Sequence, residues 1–134
     1  MADTVAEHLQ VKKGEKIAIV GATPEQRALL LPLPEGSALA SVADADAVFA
    51  FATSLEQLHR DLDELLPQLE KTRVVWFGYL KGGKGELNRD IIANAALEHG
   101  WRAIGNRPLG GDWSGIRMRP LRADEDAAQL RLGK

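Results

Sequence analysis

The chain has 134 residues, 45% hydrophobic and 27% charged, which predicts one soluble domain with its own core. The absence of cysteine excludes disulfides and thiolate metal sites, and no apolar run approaches the roughly 20 residues that a membrane helix needs. With a net charge of −2 and no secretory signal at the N-terminus, we expect a cytoplasmic protein with neither a nucleic-acid nor a membrane partner.

The charge is unevenly spread along the chain. Residues 1–70 hold five Lys/Arg and twelve Asp/Glu, whereas residues 71–134 hold twelve and seven. This asymmetry indicates either an anion-attracting site in the second half or two charge-complementary neighbours within one fold.

The first third of the chain predicts a helix, a strand and a second helix. Residues 2–10 favour a short helix, and Lys16–Gly21 is a β-branched run typical of a buried strand. The Thr-Pro-Glu-Gln run at 23–26 supplies a cap, a proline for the first helical position and a capping-box glutamine. Prolines at 32 and 34 should end that helix early.

The middle of the chain predicts two strands and the clearest helix. Residues 37–41 favour a short edge strand, and Ala47–Ala52 a buried one. A second capping box at 54–57 begins a helix whose leucines recur at helical spacing over Leu55–Leu69. Pro67 should shorten or bend its last turn.

The last half predicts a strand, a helix and a hairpin. Arg73–Tyr79 is a buried strand, and Glu86–His99 a helix. Trp101–Leu109 and Trp113–Leu121 flank a Gly-Gly-Asp turn and so form two antiparallel strands. Residues 122–134 are polar and either loose or weakly helical.

This order of elements predicts a fold class. Strand, helix, strand, helix, strand, helix and hairpin indicate a small Rossmann-like three-layer α/β fold, with a mostly parallel sheet and a C-terminal antiparallel hairpin. Residues 1–121 would form this single domain, and residues 122–134 a polar C-terminal tail.

The stretch from Val74 to Asp90 holds the main candidate site. Gly78 to Lys84 matches G-x-x-x-x-G-K, the body of a phosphate-binding loop, between a strand and a helix. Gly85 stands where Ser or Thr would hold magnesium, and no later strand ends in the aspartate that such sites need. Nucleotide hydrolysis is therefore not predicted, and glycines that ease a turn are the plainer interpretation.

A simpler anion site is compatible with the same stretch. Lys81, Lys84 and Arg89 surround the start of the following helix, where free backbone N–H groups attract anions. Asn88 and Asp90 would orient those cations or contact ligand hydroxyls. Alternatively, the helix start caps itself and its lysines are solvated.

The last strand adds an aromatic and a cation. Strand alternation puts Trp113 and Arg117 together on one face and Ile116 and Met118 on the core face. The first pair would stack side by side at a rim, as a ligand platform or as a structural cation–π contact.

Other side chains predict no further chemistry. His8, His59 and His99 lack metal-ligand spacing, and no serine lies in a nucleophile elbow. We therefore predict no catalytic residue, no metal and no cofactor.

These residues carry a resemblance to a family of small bacterial proteins known as a domain of unknown function. The resemblance spans about Val11 to Pro120 and implies a shared domain without an established activity. The family pattern is Tyr-Pro-Lys-Gly, then Asn-Arg-Asp opening a helix, then Trp-Ser and an Arg in the last strand. The matching residues are Tyr79, Lys81, Gly82, Asn88, Arg89, Asp90, Trp113, Ser114 and Arg117, with Leu80 in place of the proline.

The chain is also distantly similar to the C-terminal half of class I methyltransferases. Those proteins also end in strand, helix and antiparallel hairpin, with a Gly-Trp or Gly-Phe pair before the sixth strand, as at Gly100–Trp101. After the first predicted strand, however, Val20–Pro24 lacks the second and third glycines of G-x-G-x-x-G. No acidic residue clearly ends a second strand to hold a ribose.

The sequence favours a non-catalytic protein that binds an anionic small molecule or a protein partner at the strand–loop–helix junction. One alternative is a degenerate methyltransferase-like or phosphate-handling enzyme, and another is a purely structural polar cluster. An exposed Leu30–Leu33 run would permit a homodimer. The candidate site residues are Lys81, Lys84, Asn88, Arg89, Asp90, Trp113 and Arg117.

Overall fold

The computed structural model describes residues 4–81 and 85–132. Six strands lie in these ranges: Lys16–Val20 (β1), Ala38–Leu39 (β2), Ala47–Phe51 (β3), Val74–Leu80 (β4), Trp101–Gly110 (β5) and Trp113–Pro120 (β6). The α-helices there are Val5–His8 (α1), Pro24–Ala28 (α2), Leu55–Leu65 (α3), Arg89–Glu98 (α4) and Ala127–Leu130 (α5). Short 3₁₀ helices span Val42–Asp44 and Leu66–Gln68.

The strands form one sheet in the order β2-β1-β3-β4-β6-β5. The first four strands are parallel, and β1 lies between β2 and β3, so the strand order reverses at β1. β6 runs antiparallel between β4 and β5, which places β5 at the outer edge. The predicted Rossmann-like α/β fold, mostly parallel with an antiparallel C-terminal hairpin, is confirmed.

Each face of the sheet has its own core because strand side chains alternate. Val75 and Phe77 of β4 belong to the core that α3 and α4 cover. Val74 and Trp76 belong to the opposite core, which includes Leu9 after α1. Trp76 is 1% exposed, and its Nε1 donates a hydrogen bond to the Leu9 carbonyl at 2.9 Å.

Two predicted capping boxes have different outcomes. Thr23 and Gln26 form the predicted box: Thr23 Oγ1 accepts from Gln26 N at 3.2 Å, and Gln26 Oε1 accepts from Thr23 N at 2.8 Å. At α3, Ser54 accepts from Gln57 N at 3.1 Å. The Gln57 carboxamide accepts instead from Thr53 N at 3.1 Å, so this second box is only half formed.

Helix α4 begins three residues later than predicted. Asn88 has extended backbone angles, and its side chain accepts from Ile91 N at 2.8 Å, which makes it the N-cap. Glu86, the predicted first residue, accepts instead from Leu55 N at 2.7 Å. Its carboxylate thus satisfies a backbone donor at the start of α3, where the helix dipole favours negative charge.

The segment after residue 121 is tied to the sheet and to α4. Glu125 accepts from Arg119 on β6 at 2.8 and 2.9 Å and also pairs with Arg102 on β5. Asn94 of α4 exchanges two hydrogen bonds with the Leu132 backbone, each 2.7 Å long. The sequence predicted a loose or weakly helical tail, and the structure has the short helix α5 there. The domain boundary at residue 121 stays a prediction.

Acid should weaken this tie before it weakens the core. The Arg119 guanidinium, the Arg122 backbone N–H and Arg102 lower the pKa of the Glu125 carboxyl far below its usual range. Because an unfolded glutamate titrates near pH ~4.3, the stabilisation is present above that pH and is lost as the pH falls further. We expect Glu125→Gln to be less stable than wild type at pH 7. Urea denaturation should show that the difference in free energy of unfolding between the two proteins decreases from about pH 5 to pH 3. A stability difference that does not change with pH would contradict a stabilising role for the Glu125 carboxylate.

The leucine run after α2 is only partly exposed. Leu30 is 1% exposed and belongs to the core, whereas Leu31 is 54% exposed. The expectation of an apolar surface over Leu30–Leu33 is therefore wrong at Leu30, and a homodimer stays a prediction. No helix in residues 4–81 or 85–132 is long and apolar enough to cross a membrane.

Candidate functional site

The carboxyl ends of the parallel strands meet at one edge of the sheet. Val20 of β1 lies opposite Ala50 of β3, and Phe51 lies opposite Gly78 of β4. In open α/β sheets this edge binds ligands, most often beside the point where the strand order reverses. Two regions of this edge therefore matter: the ends of β1 and β3, and the end of β4.

A polar cleft lies beyond β4. It has a volume of about 390 Å³ and is called here the β4-end cleft. Its walls come from the end of β4, the start of α4 and one residue of β5. The lining residues are Tyr79, Lys81, Gly85, Glu86, Leu87, Asn88, Arg89, Asp90 and Asn106.

Hydrogen bonds fix the floor of this cleft. Ser114 Oγ donates to Asn106 Oδ1 at 2.9 Å and also lies 3.1 Å from the Arg107 carbonyl. Asn106 Nδ2 then donates to the Tyr79 hydroxyl at 3.4 Å. Tyr79 is 5% exposed and Ser114 6%, whereas Asn106 between them is exposed, so the network has buried ends and a solvent-accessible centre. Neither Tyr79 nor Asn106 was predicted as a site residue, since nothing local in the sequence indicates that β5 approaches the end of β4.

Four of the seven candidate residues line the β4-end cleft. Lys81, Asn88, Arg89 and Asp90 are all exposed there. Lys84 lies outside the described residues. The Lys81 backbone N–H donates to the Asp112 carbonyl at 2.9 Å, which joins the cleft to the hairpin turn.

Charge pairing within the cleft is weak. Arg89 Nε lies 3.5 Å from Asp90 Oδ1, and the two side chains are 65% and 54% exposed. An exposed pair of this kind contributes little stability. It also joins neighbouring residues of one helix, so it does not connect the cleft to another element.

Trp113 lies on the other side of the sheet from α4. It is half-buried against the core that contains Leu9 and Trp76. Its ring meets Phe51 edge-on, with centroids 5.4 Å apart and planes at 84°. Trp113 therefore packs behind the end of β4 and does not line the β4-end cleft.

Arg117 lies further along β6, opposite Trp76. It donates to the Gln10 carboxamide and, at 3.4 Å, to the Arg73 carbonyl. Burial lowers the pKa of the Arg117 guanidinium, and the positive charges of Arg73 and Arg107 lower it further. Arg117 thus holds the chain just after α1.

The predicted Trp113–Arg117 stack is therefore wrong. Strand alternation places both side chains on one face, as expected. However, four residues of extended strand separate them by roughly 13 Å, and each has found a different partner.

Two histidines that no local sequence pattern would pair lie in contact. His59 Nδ1 on α3 and His99 Nε2 at the end of α4 are 3.2 Å apart. Forty residues separate the two rings, and only the packing of α3 on α4 brings them together.

The edge at β1 and β3 is open and lined by small residues. Gly21 follows β1 with φ +60°, and a Cβ built there would meet no atom within 4 Å. Ala52 follows β3 at the same edge, and its N–H donates to the Gly78 carbonyl at 2.9 Å. Beyond β2, the Ser41 hydroxyl donates to Asp44 at 3.2 Å, and both residues are exposed. Asp44 thus follows β2 by five residues in the crossover to β3, two residues before Asp46, whose N–H donates to the Lys16 carbonyl at the start of β1.

Solved structures similar to this chain share its fold at low sequence identity. A protein in the NADB-Rossmann superfamily from Streptococcus agalactiae matches with a TM-score of 0.55 and 11% identity, over 98% of this chain and 73% of that one. A putative tRNA (m1A22) methyltransferase from Streptococcus pneumoniae, in complex with S-adenosyl-L-methionine, matches with a TM-score of 0.54 and 14% identity, over 96% and 76%. A ribosomal protein L11 methylase from Lactobacillus delbrueckii subsp. bulgaricus matches with a TM-score of 0.56 and 18% identity, over 88% and 75%.

Sequence comparisons add no family. No family model matches this chain, and no curated protein does. The resemblance to a domain of unknown function therefore stays a prediction, as does its Tyr-Pro-Lys-Gly pattern. The likeness to methyltransferases is supported at the level of the fold.

The comparisons correct the functional prediction. A non-catalytic binding protein was the favoured interpretation, with a methyltransferase-like protein as an alternative. Two of the similar structures are methyltransferases, and one of them carries S-adenosyl-L-methionine. The favoured interpretation is therefore wrong, and the methyltransferase-like alternative is the better supported one.

Proposed function

We propose that this chain is a methyltransferase-like protein that binds S-adenosylmethionine at the carboxyl ends of β1 and β3. The observation that carries the proposal is the sheet: its strand order reverses at β1, and its antiparallel hairpin inserts β6 beside β4. A likeness to methyltransferases that extends over nearly the whole chain supports the same conclusion. Fold alone does not determine function, so the residues at the edge must also fit the cofactor.

Two residues near β1 suit an adenosine-bearing cofactor: Gly21 at this edge, and Asp44 in the crossover from β2 to β3. Gly21 leaves open space directly above β1, where a side chain would block the approach of a ligand to the backbone. Asp44, held by the Ser41 hydroxyl, provides a carboxylate beyond β2, the neighbouring strand. Carboxylates in this region of Rossmann-like folds accept hydrogen bonds from ribose hydroxyls.

The segment after β1 would hold the amino-acid portion of the cofactor differently from the way a glycine-rich loop does. The N–H groups of Thr23 and Gln26 are already paired in the α2 capping box, and Pro24 has no N–H. Gly21, Ala22 and the backbone N–H of Glu25 are thus the groups here that would contact the amino-acid portion. When bound, the cofactor would supply an electrophilic methyl group on a sulfonium, and the protein would orient that group and exclude water.

The proposed function also bears on which molecules could accept the methyl group. The expectation that no nucleic acid binds rested on overall charge, which is a weak guide to a local site. One structural relative is named as a tRNA methyltransferase. A nucleic-acid acceptor is therefore no longer excluded for this chain.

Replacing Asp44 tests the proposal. We expect Asp44→Asn to weaken binding of S-adenosylmethionine by roughly 10- to 100-fold, because a charged ribose contact contributes roughly 1.5–3 kcal/mol. Thermal stability should change little, since both Asp44 and its partner Ser41 are exposed. Isothermal titration calorimetry on both proteins measures the affinities.

Asp124→Asn is the matched control. Asp124 is also exposed, but it lies in the C-terminal segment, away from the ends of β1 and β3. The Asp124→Asn variant should bind the cofactor as the wild type does. Equal losses in the two variants, or no loss at Asp44, would contradict a ribose contact there.

A further inference from the structure

A second cavity lies beside the β4-end cleft. It has a volume of about 350 Å³ and lies between α4 and β5, under the C-terminal segment. We call it the strap cavity. Its apolar lining includes Ala93, Leu97, Ile104, Ile116, Leu130 and Leu132.

The two cavities share part of their walls. Arg89 and Asn106 line both of them, so the apolar and the polar spaces are neighbours along the same side of α4. Each volume alone falls in the range of roughly 300–1,000 Å³ that small-molecule sites have. Arg89 and Asn106 thus form a common wall, and we treat the two spaces as one elongated site with an apolar and a polar end.

We propose that this joint site binds the methyl acceptor, a small amphipathic molecule with an apolar body and a head that accepts hydrogen bonds through oxygen. The role of this ligand as the methyl acceptor rests on the proposed function. The apolar body would lie in the strap cavity, and the oxygen-bearing head in the β4-end cleft.

The hydrogen-bond network sets the chemistry of the head. Because Ser114 donates to Asn106 Oδ1, the amide presents its N–H groups toward Tyr79. The Tyr79 hydroxyl accepts one of them and can still donate its own proton. Tyr79 and Asn106 both line the cleft and each carries a donor, the hydroxyl O–H and the amide N–H, which suits a carbonyl or carboxylate oxygen.

The C-terminal segment closes the apolar end. Asn94 fixes the Leu132 backbone with two hydrogen bonds, and this holds Leu130 and Leu132 over the cavity. Leu132 is nevertheless 41% exposed, so its side chain is only partly covered. A ligand beneath it would cover more of this apolar surface.

The site also adjoins the edge assigned to the methyl donor. Glu86 lines the β4-end cleft, and its carboxylate accepts from Leu55 N at 2.7 Å. Leu55 begins α3 just after the end of β3. One hydrogen bond therefore connects the wall of the acceptor cleft with the edge where the donor would bind.

Three ligands with the same tail test the head chemistry. The ¹⁵N-labelled chain, without cofactor, is titrated with hexanamide, hexanoate and hexylamine and followed by NMR. Hexanamide and hexanoate should shift the amides of Ala93, Asn106 and Leu132, and hexylamine, which cannot accept through oxygen, should bind about tenfold more weakly. Equal binding of all three would overturn the proposal.

Three variants test the location, and one of them is a control. Ala93→Phe fills the apolar end and should abolish hexanamide binding, while Ala28→Phe, on the exposed face of α2, should not. Tyr79→Phe removes a single oxygen and should weaken hexanamide binding about tenfold, which keeps the test decisive if Ala93→Phe does not fold. Unchanged binding in Tyr79→Phe would overturn the proposal.

Failure of this inference is distinguishable from failure of the proposed function. If S-adenosylhomocysteine binds and hexanamide does not, only the acceptor site is overturned. If hexanamide binds as described and S-adenosylhomocysteine does not, the amphipathic site stands and the proposed function is overturned.

Discussion

Replacing Trp76 with alanine is expected to lower the free energy of unfolding by about 3–5 kcal/mol, the range for deleting a large buried aromatic. Trp76 is 1% exposed at the centre of β4, and Gly115 makes room for its ring on β6. The same ring donates to the Leu9 carbonyl, so its loss also releases the segment after α1. Urea denaturation followed by circular dichroism measures the change.

Trp76→Phe separates the packing from the hydrogen bond. Phenylalanine keeps most of the ring but leaves the Leu9 carbonyl without its donor, at an expected cost of about 1–3 kcal/mol. The alanine variant should therefore be clearly the less stable of the two. Equal stabilities would contradict the view that Trp76 acts mainly through packing.

Gly78→Ala is the second large effect, with an expected loss of about 1–3 kcal/mol from overpacking. A Cβ at this position would lie 2.7 Å from Phe51 Cδ2 and 2.9 Å from Leu109 Cδ1. Both neighbours are core side chains that are 2% exposed, so neither can move away easily. Thermal or urea denaturation of the purified variant would measure the loss.

Gly85→Ala is the control for this substitution. A Cβ there would come no closer than 3.4 Å to Leu80, so the change should stay within about 0.5 kcal/mol. A similar loss at both glycines would mean that turn freedom, rather than the packing of β4, explains Gly78.

This comparison also changes the meaning of the phosphate-loop pattern. Gly78 begins the G-x-x-x-x-G-K match, yet it lies inside β4 and pairs with Gly115. It is small because Phe51 and Leu109 fill the space beside it. A motif read from sequence cannot separate a glycine that allows ligand approach from one that admits a neighbouring side chain.

Local signals in the sequence predicted the elements well. Thr23, Pro24 and Gln26 specify the start of α2 through contacts within four residues, and all of these contacts form. Hydrophobic runs located β1, β3 and β4, and the glycine turn located the hairpin. The order of elements then sufficed for the fold, because right-handed crossovers leave few alternatives.

The candidate site was predictable only in part, since much of it depends on contacts distant in sequence. Lys81, Asn88, Arg89 and Asp90 lie within ten residues of one another, and they do share a cleft. Asn106 reaches that cleft because β5 lies at the sheet edge beyond β6, a position fixed by pairing rather than by local pattern.

Glu86 shows the same limit at a helix start. An acidic residue beside Asn88 suits the first turn of α4, and the sequence favoured it there. In the structure it serves α3 instead, 31 residues away. A carboxylate can accept from the free backbone N–H groups at the start of either helix. Only the packing of α4 beside α3 decides which helix it caps.

Binding of S-adenosylhomocysteine, followed by NMR on the ¹⁵N-labelled wild-type chain, tests the central claim most directly. The account predicts saturable shifts at the amides of Gly21, Ala22 and Thr53, where the ends of β1 and β3 form the proposed cofactor site. No saturable shift, or shifts confined to residues away from this edge, would contradict the assignment of this chain as methyltransferase-like.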